Sequence, residues 1–169
     1  MPNRRERYDY EYKRNGVRNL NIFFEPLTGQ RAIKIIERRT RQDFAHCMRW
    51  MVDELFPDEE MIRVVLDNLN THEPASLFVT FPPAEALRIL RKIEFHYTPK
   101  HGSWLKMAEI EWSVYTRSLP KHIPDETILF KEVNALTIEC YQKKSSVNWR
   151  FQAGNSRIKL KQLYPSLPA

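Results

Sequence analysis

A chain of 169 residues is one domain's worth of polypeptide, enough to bury a core and too short for two independent ones. Its 42% hydrophobic, 12% aromatic and 28% charged residues describe a folding sequence rather than a disordered one. Its apolar runs, such as Ile22 to Phe24 and Val64 to Leu66, fall far below the roughly 20 residues of a membrane span.

The opening MPNRRERYDYEY alternates charge with tyrosine and lacks the apolar run of a secretory leader. Two cysteines, Cys47 and Cys140, cannot build a disulfide framework, and both fall in helix-like patterns that suit buried thiols, so a reducing cytoplasm is expected. In chain order, VRNLNIFFEP and RAIKIIER read as two strands, punctuated by Asn15-Gly16 and Thr28-Gly29, and together predict an antiparallel hairpin. Tyr8, Tyr10 and Tyr12 could close a second, weaker hairpin at the first of these turns. Thr40 with Asp43 signals a helix start, and Phe44, Cys47, Met48, Met51 and Leu55 follow on one helical face, ended by Pro57.

Ile62 to Leu66 predicts a strand buried on both faces, feeding a loop at Asp67-Asn68. Helical segments broken at Pro82-Pro83, a short strand from Glu94 to Thr98, and helices over Leu105 to Ser118 and Asp125 to Tyr141 come next. A last helix from Asn155 to Leu163 is a further expectation. Hairpin strands first, then strands alternating with helices, indicate a mixed α/β sheet with helical cover.

The net charge of +6 is unevenly spread. No acidic residue follows Glu139, while Lys143, Lys144, Arg150, Arg157, Lys159 and Lys161 do, and Arg31, Lys34, Arg38, Arg39 and Arg41 crowd a second stretch. Such clusters suit a polyanion, through counterion release from its phosphates, and equally a solvated basic face. Asp67, at the end of a strand, stands where ligands gather in an open α/β sheet, although Asp-Asn after a strand is also common turn chemistry. A second carboxylate lies in SWLKMAEIEW, at the start of a helix. Two hard oxygen donors, with no Cys/His spacing for zinc, fit Mg²⁺ or Mn²⁺ and phosphate chemistry, for which two metal ions usually need about three carboxylates.

Three stretches in order, RYDYEYKRNGVRNLNIFFEPLTG, VVLDNLNTH and FHYTPKHGSWLKMAEIEWS, resemble the catalytic domain of DDE-type insertion-sequence transposases, bacterial relatives of the mariner superfamily. The resemblance covers about Arg5 to Pro165. It implies a ribonuclease H-like mixed sheet with helices on both faces, divalent metal ions (Mg²⁺ or Mn²⁺), and DNA strand cleavage and joining at transposon ends. By the family's pattern Asp67 is the second catalytic and metal-binding acid and Glu109 the third, with Asn68 and His72 supporting the loop after Asp67.

The family's first catalytic Asp lies on a strand preceding the segment where this sequence starts. The resemblance therefore implies a single partial domain over 1–169, with 1–15 as linking segment and 143–169 as basic tail. That strand would lie between NLNIFF and IRVVL. Asp9 belongs to the linking stretch and is not a substitute. Lys106 stands where the family usually has Asn, and helical-wheel geometry turns Glu111 rather than Glu109 toward the apolar face, so Glu111 stays an alternative. The DNA-contacting candidates are Lys100 and His101, in the loop before this helix, and Lys143, Lys144, Arg150, Arg157 and Lys159. The implied partners are transposon-end DNA, further copies of the chain, or a separate amino-terminal transposase chain, in a nucleoid-associated cytoplasmic setting. The reading of another class is a non-catalytic remnant that binds DNA or associates with, regulates or completes another transposase chain.

Overall fold

The computed structural model describes residues 16–98, 107–143, 154–155 and 158. The first strands form where β-branched and aromatic residues concentrate. β1 (Asn19–Phe24) and β2 (Arg31–Ile36) pair antiparallel, with Asn19 opposite Ile36 and Phe24 opposite Arg31. Their connection closes through Gly29, whose φ of 75° is one that glycine adopts without steric cost. The Gly29 amide donates to the Glu25 carbonyl at 2.9 Å.

Helix α1 (Arg41–Trp50) starts at the expected capping box. Thr40 Oγ1 accepts from the Asp43 amide at 3.2 Å while Asp43 Oδ2 accepts from the Thr40 amide at 2.9 Å. Thr40→Ala is expected to cost about 1 kcal/mol, read as a lower urea midpoint at unchanged slope. The helix does not stop at Trp50 but widens into a π-helical turn, Met51–Leu55, closed by the Phe56 amide donating to the Met51 carbonyl at 2.9 Å. Widening shifts the phase of the apolar stripe, so that Met51 and Val52 are both buried.

β3 (Ile62–Leu66) and β4 (Ile93–Tyr97) pair in parallel, Ile62 beside Ile93 and Leu66 beside Tyr97. Between them run α2 (Ala75–Thr80) and α3 (Pro83–Arg91), with Pro83 opening α3, a position where its missing N–H costs nothing. β3 departs from the expected two-sided burial. It alternates, with Arg63 and Val65 exposed, because the face it shares with Glu94 and His96 meets solvent, where Arg63 pairs with Glu94. Only its other face joins the core. The main core is built around α1, from Phe44, Cys47, Met48, Met51 and Val52, and takes in Leu66, Leu77, Ile89 and Ile93.

α4 (Met107–Ser118) and α5 (Glu126–Gln142) follow, the second capped by Asp125, whose Oδ1 accepts from the Ile128 amide at 2.9 Å. α4 packs on β1 and α5 on β2, with Tyr115, Leu129 and Val133 buried between. The α/β character read from the sequence is present. The strands nevertheless form two separate pairs, β1–β2 and β3–β4, among the described residues. The expected helix from Asn155 to Leu163 and the Tyr8 to Tyr12 hairpin lie outside the residues described, apart from three positions of the former.

Candidate active site

Asp67 follows directly on the last residue of β3, and the backbone there is tied to the neighbouring strand. The Thr98 amide donates to the Leu66 carbonyl at 2.9 Å, extending the ladder by one residue, and Asn68 Nδ2 donates to the Thr98 carbonyl at 3.2 Å. The bend at Asp67-Asn68 is therefore fixed to the end of β4. The loop returns at His72, whose Nδ1 donates to Asp67 Oδ1 at 2.7 Å. The imidazole stacks on Phe44 of α1 with ring centroids 4.9 Å apart, and the His72 carbonyl accepts from the Tyr97 hydroxyl at 2.9 Å. Asp67 is half-buried and held by a ring that is itself packed against the core.

Glu109 stands in the first turn of α4, exposed, on the wall of a cleft of about 970 Å³. The cleft runs between β1 and β3, over Phe44, Met48 and Met51 of α1, and His72 lines it as well. The structure thus brings Glu109 and the ring that holds Asp67 to one cleft.

Glu111 has a different fate. Two residues along a helix turn a side chain by roughly 200°, so with Glu109 on the cleft Glu111 points inward. It is 3% exposed and meets Arg31 at the start of β2 in a two-pronged ion pair. Arg31 Nε donates to Glu111 Oε2, and Nη2 donates to Oε1 at 3.0 Å. Nη1 donates to the Gly29 carbonyl at 2.7 Å, and the guanidinium lies 4.9 Å from the centre of the Phe24 ring. The Glu111 carboxylate raises the Arg31 pKa above its already high ordinary value, fixing the positive charge. The inward turn of Glu111 read from the wheel is correct, and Arg31 consumes both of its oxygens. Arg31 is the partner that sequence reasoning missed, counting it among surface cations. The signal was a carboxylate on an apolar helical face, which demands a buried cation.

Asn68 is exposed at the loop, and Lys143 at the end of α5 is exposed and paired with Glu139, which raises its pKa. Lys100, His101, Lys144, Arg150, Arg157, Lys159 and Lys106 lie outside the described residues. Cys47 is buried, with burial pushing its thiol pKa up, as an unreactive core thiol requires. As metal donors, Asp67 and Glu109 are hard oxygens of the type a divalent cation prefers. In number they fall one short of the usual three carboxylates, and no three His, Cys, Asp or Glu side chains form a metal-holding group among the described residues. No described helix is long and apolar enough to cross a membrane.

Neither curated proteins nor solved structures match the chain. The family model for the DDE superfamily endonuclease does, over residues 1–128, a span that takes in the hairpin, the Asp67 loop and the whole of α4. The chain belongs to the DDE superfamily of endonucleases, with a transposase-type nuclease domain.

Proposed function

We propose that the chain acts on transposon-end DNA, with Asp67 and Glu109 holding Mg²⁺ or Mn²⁺ for phosphodiester cleavage and strand transfer. The observation that carries this reading is Asp67, clamped by His72 at the carboxyl end of β3, beside the cleft that Glu109 lines. A bound divalent ion supplies charge stabilisation at a phosphoryl oxygen and a water of lowered pKa. The chain's own residues do the rest. His72 keeps one Asp67 oxygen fixed through Nδ1, and Asn68 pins the loop that carries both. Arg39 shares a hollow of about 280 Å³ with Asn68, Asn70 and Thr71, which offers a cation beside this loop to a DNA phosphate. Lys100, His101, Lys143, Lys144, Arg150, Arg157 and Lys159 extend the basic surface along the DNA.

With two of three carboxylates, the chain alone works far below the rate of a complete centre. A second reading is a chain that binds DNA and completes or regulates another transposase subunit. The open cleft between β1 and β3 favours it. Mn²⁺ titration followed by electron paramagnetic resonance separates the two readings without any need for turnover. Asp67→Asn and Glu109→Gln are each expected to weaken Mn²⁺ binding by at least about tenfold, the lower end of what loss of a ligand's supporting partner costs. Equal affinity in the wild type and both variants overturns the metal assignment and leaves the second reading.

A further inference from the structure

We infer that the cleft between β1 and β3 is a docking site for an extended, apolar β-strand supplied by another polypeptide. The inference rests on backbone geometry and is independent of the nuclease reading. Each strand has two hydrogen-bonding edges. β1 uses one for β2 along its whole length, and β3 uses one for β4. Their other edges join no ladder among the described residues, and no described backbone hydrogen bond connects β1 to β3. Both strands nevertheless line one cleft, β1 through residues 20–24 and β3 through residues 62–66.

Two facing strand edges offer alternating N–H and C=O groups from both sides. A small molecule cannot satisfy two such rows, whereas a single inserted strand satisfies both at once, at the usual spacing of about 4.8 Å on each side. At about 3.3 Å per residue, the five-residue length of β3 sets the occupant at five or six residues.

The cleft's other walls fix the chemistry of its side chains. One face of the inserted strand would meet Phe44, Met48 and Met51 of α1, and the other Ala108 and Trp112 of α4. A strand enclosed on both faces reads as a continuous apolar run. Outside its described residues this sequence has no apolar run longer than two, as at Trp104-Leu105, so the occupant comes from a different chain. β3 and β4, which do carry such runs, are already paired with each other.

The test uses the full chain and a peptide of about eight residues, a Val/Ile/Leu run between terminal lysines. The expected result is a melting temperature that climbs with peptide concentration and slowed amide exchange at alternate residues of both Leu20 to Phe24 and Ile62 to Leu66. N-methylating alternate peptide bonds, which removes donors and leaves the apolar side chains, is expected to weaken binding by at least tenfold. Three results overturn the proposal. They are no melting shift up to millimolar peptide, equal binding of the N-methylated peptide, or a concentration-dependent dimer in which those amides are already protected without peptide. The last would make a second copy the occupant.

Discussion

Glu111→Ala is expected to destabilise the fold by about 3–5 kcal/mol, the cost of stranding one partner of a buried ion pair. The side chains of Arg31 and Glu111 are 3% and 4% exposed. Removing the carboxylate leaves a guanidinium that cannot lose its proton, with the Gly29 carbonyl and the Phe24 ring as its surroundings. Since domains of this size have only about 5–15 kcal/mol in hand, such a loss populates the unfolded state measurably. Arg31→Met alone strands the carboxylate, which can escape by taking up a proton, so its cost is smaller at acid pH than at neutral pH. The double replacement Arg31→Met with Glu111→Leu removes both charges and is expected to recover most of the loss. Urea denaturation of the four proteins closes the cycle. A Glu111→Ala penalty below about 1 kcal/mol would show that water reaches the pair and that it does not hold α4 to the hairpin.

That pair marks where the sequence stopped being legible. Signals carried by neighbouring residues came through intact. The hairpin turn at Thr28-Gly29, the Thr40 and Asp43 capping box and the break at Pro82-Pro83 each depend on residues within one turn of one another, and each stands where it was read. Arg31 and Glu111 are 80 positions apart, and nothing local to Arg31 separates it from the solvated arginines that follow it. β3 was misjudged for the opposite reason. A Val-Val run looks the same whether one face or two is covered, and here Arg63 at its start was the cue that one face is open. The π-helical turn after Trp50 has no sequence signature beyond an apolar stripe that admits both Met51 and Val52.

The candidate site was legible to the same degree. Asp67 and Glu109 came from motif resemblance, and the contact that orients Asp67 spans only five residues, so His72 was within reach of a local reading. The division of the strands into two pairs was not, because strand pairing is settled by closure of long loops and not by composition. The expectation of one sheet with a strand between NLNIFF and IRVVL came from the family resemblance. The cleft lies between those two strands.

Asp67→Asn is expected to reduce Mn²⁺-dependent nicking of supercoiled DNA by at least about 100-fold, while leaving the fold intact. The size follows from comparison: losing a partner that merely orients a metal ligand costs about 10–100-fold, and losing the ligand's own charge costs more. The fold should survive because Asn keeps the shape of Asp and its amide oxygen can still accept from His72 Nδ1, so the loop contacts of Asn68 and Tyr97 are untouched. His72→Ala makes the informative comparison. It keeps the Asp67 charge and removes its orientation, so a loss of about 10–100-fold is expected there, with Mn²⁺ binding weakened to a similar degree. Glu111→Gln discriminates between the two carboxylates of α4. With the Arg31 contact only weakened, nicking should track the fraction folded and show no change in Mn²⁺ dependence, whereas Glu109→Gln should abolish the Mn²⁺ response in a fully folded protein. Nicking by Asp67→Asn at the wild-type rate would remove Asp67 from the chemistry, and with it the reading of the cleft as a site for metal-dependent DNA cleavage.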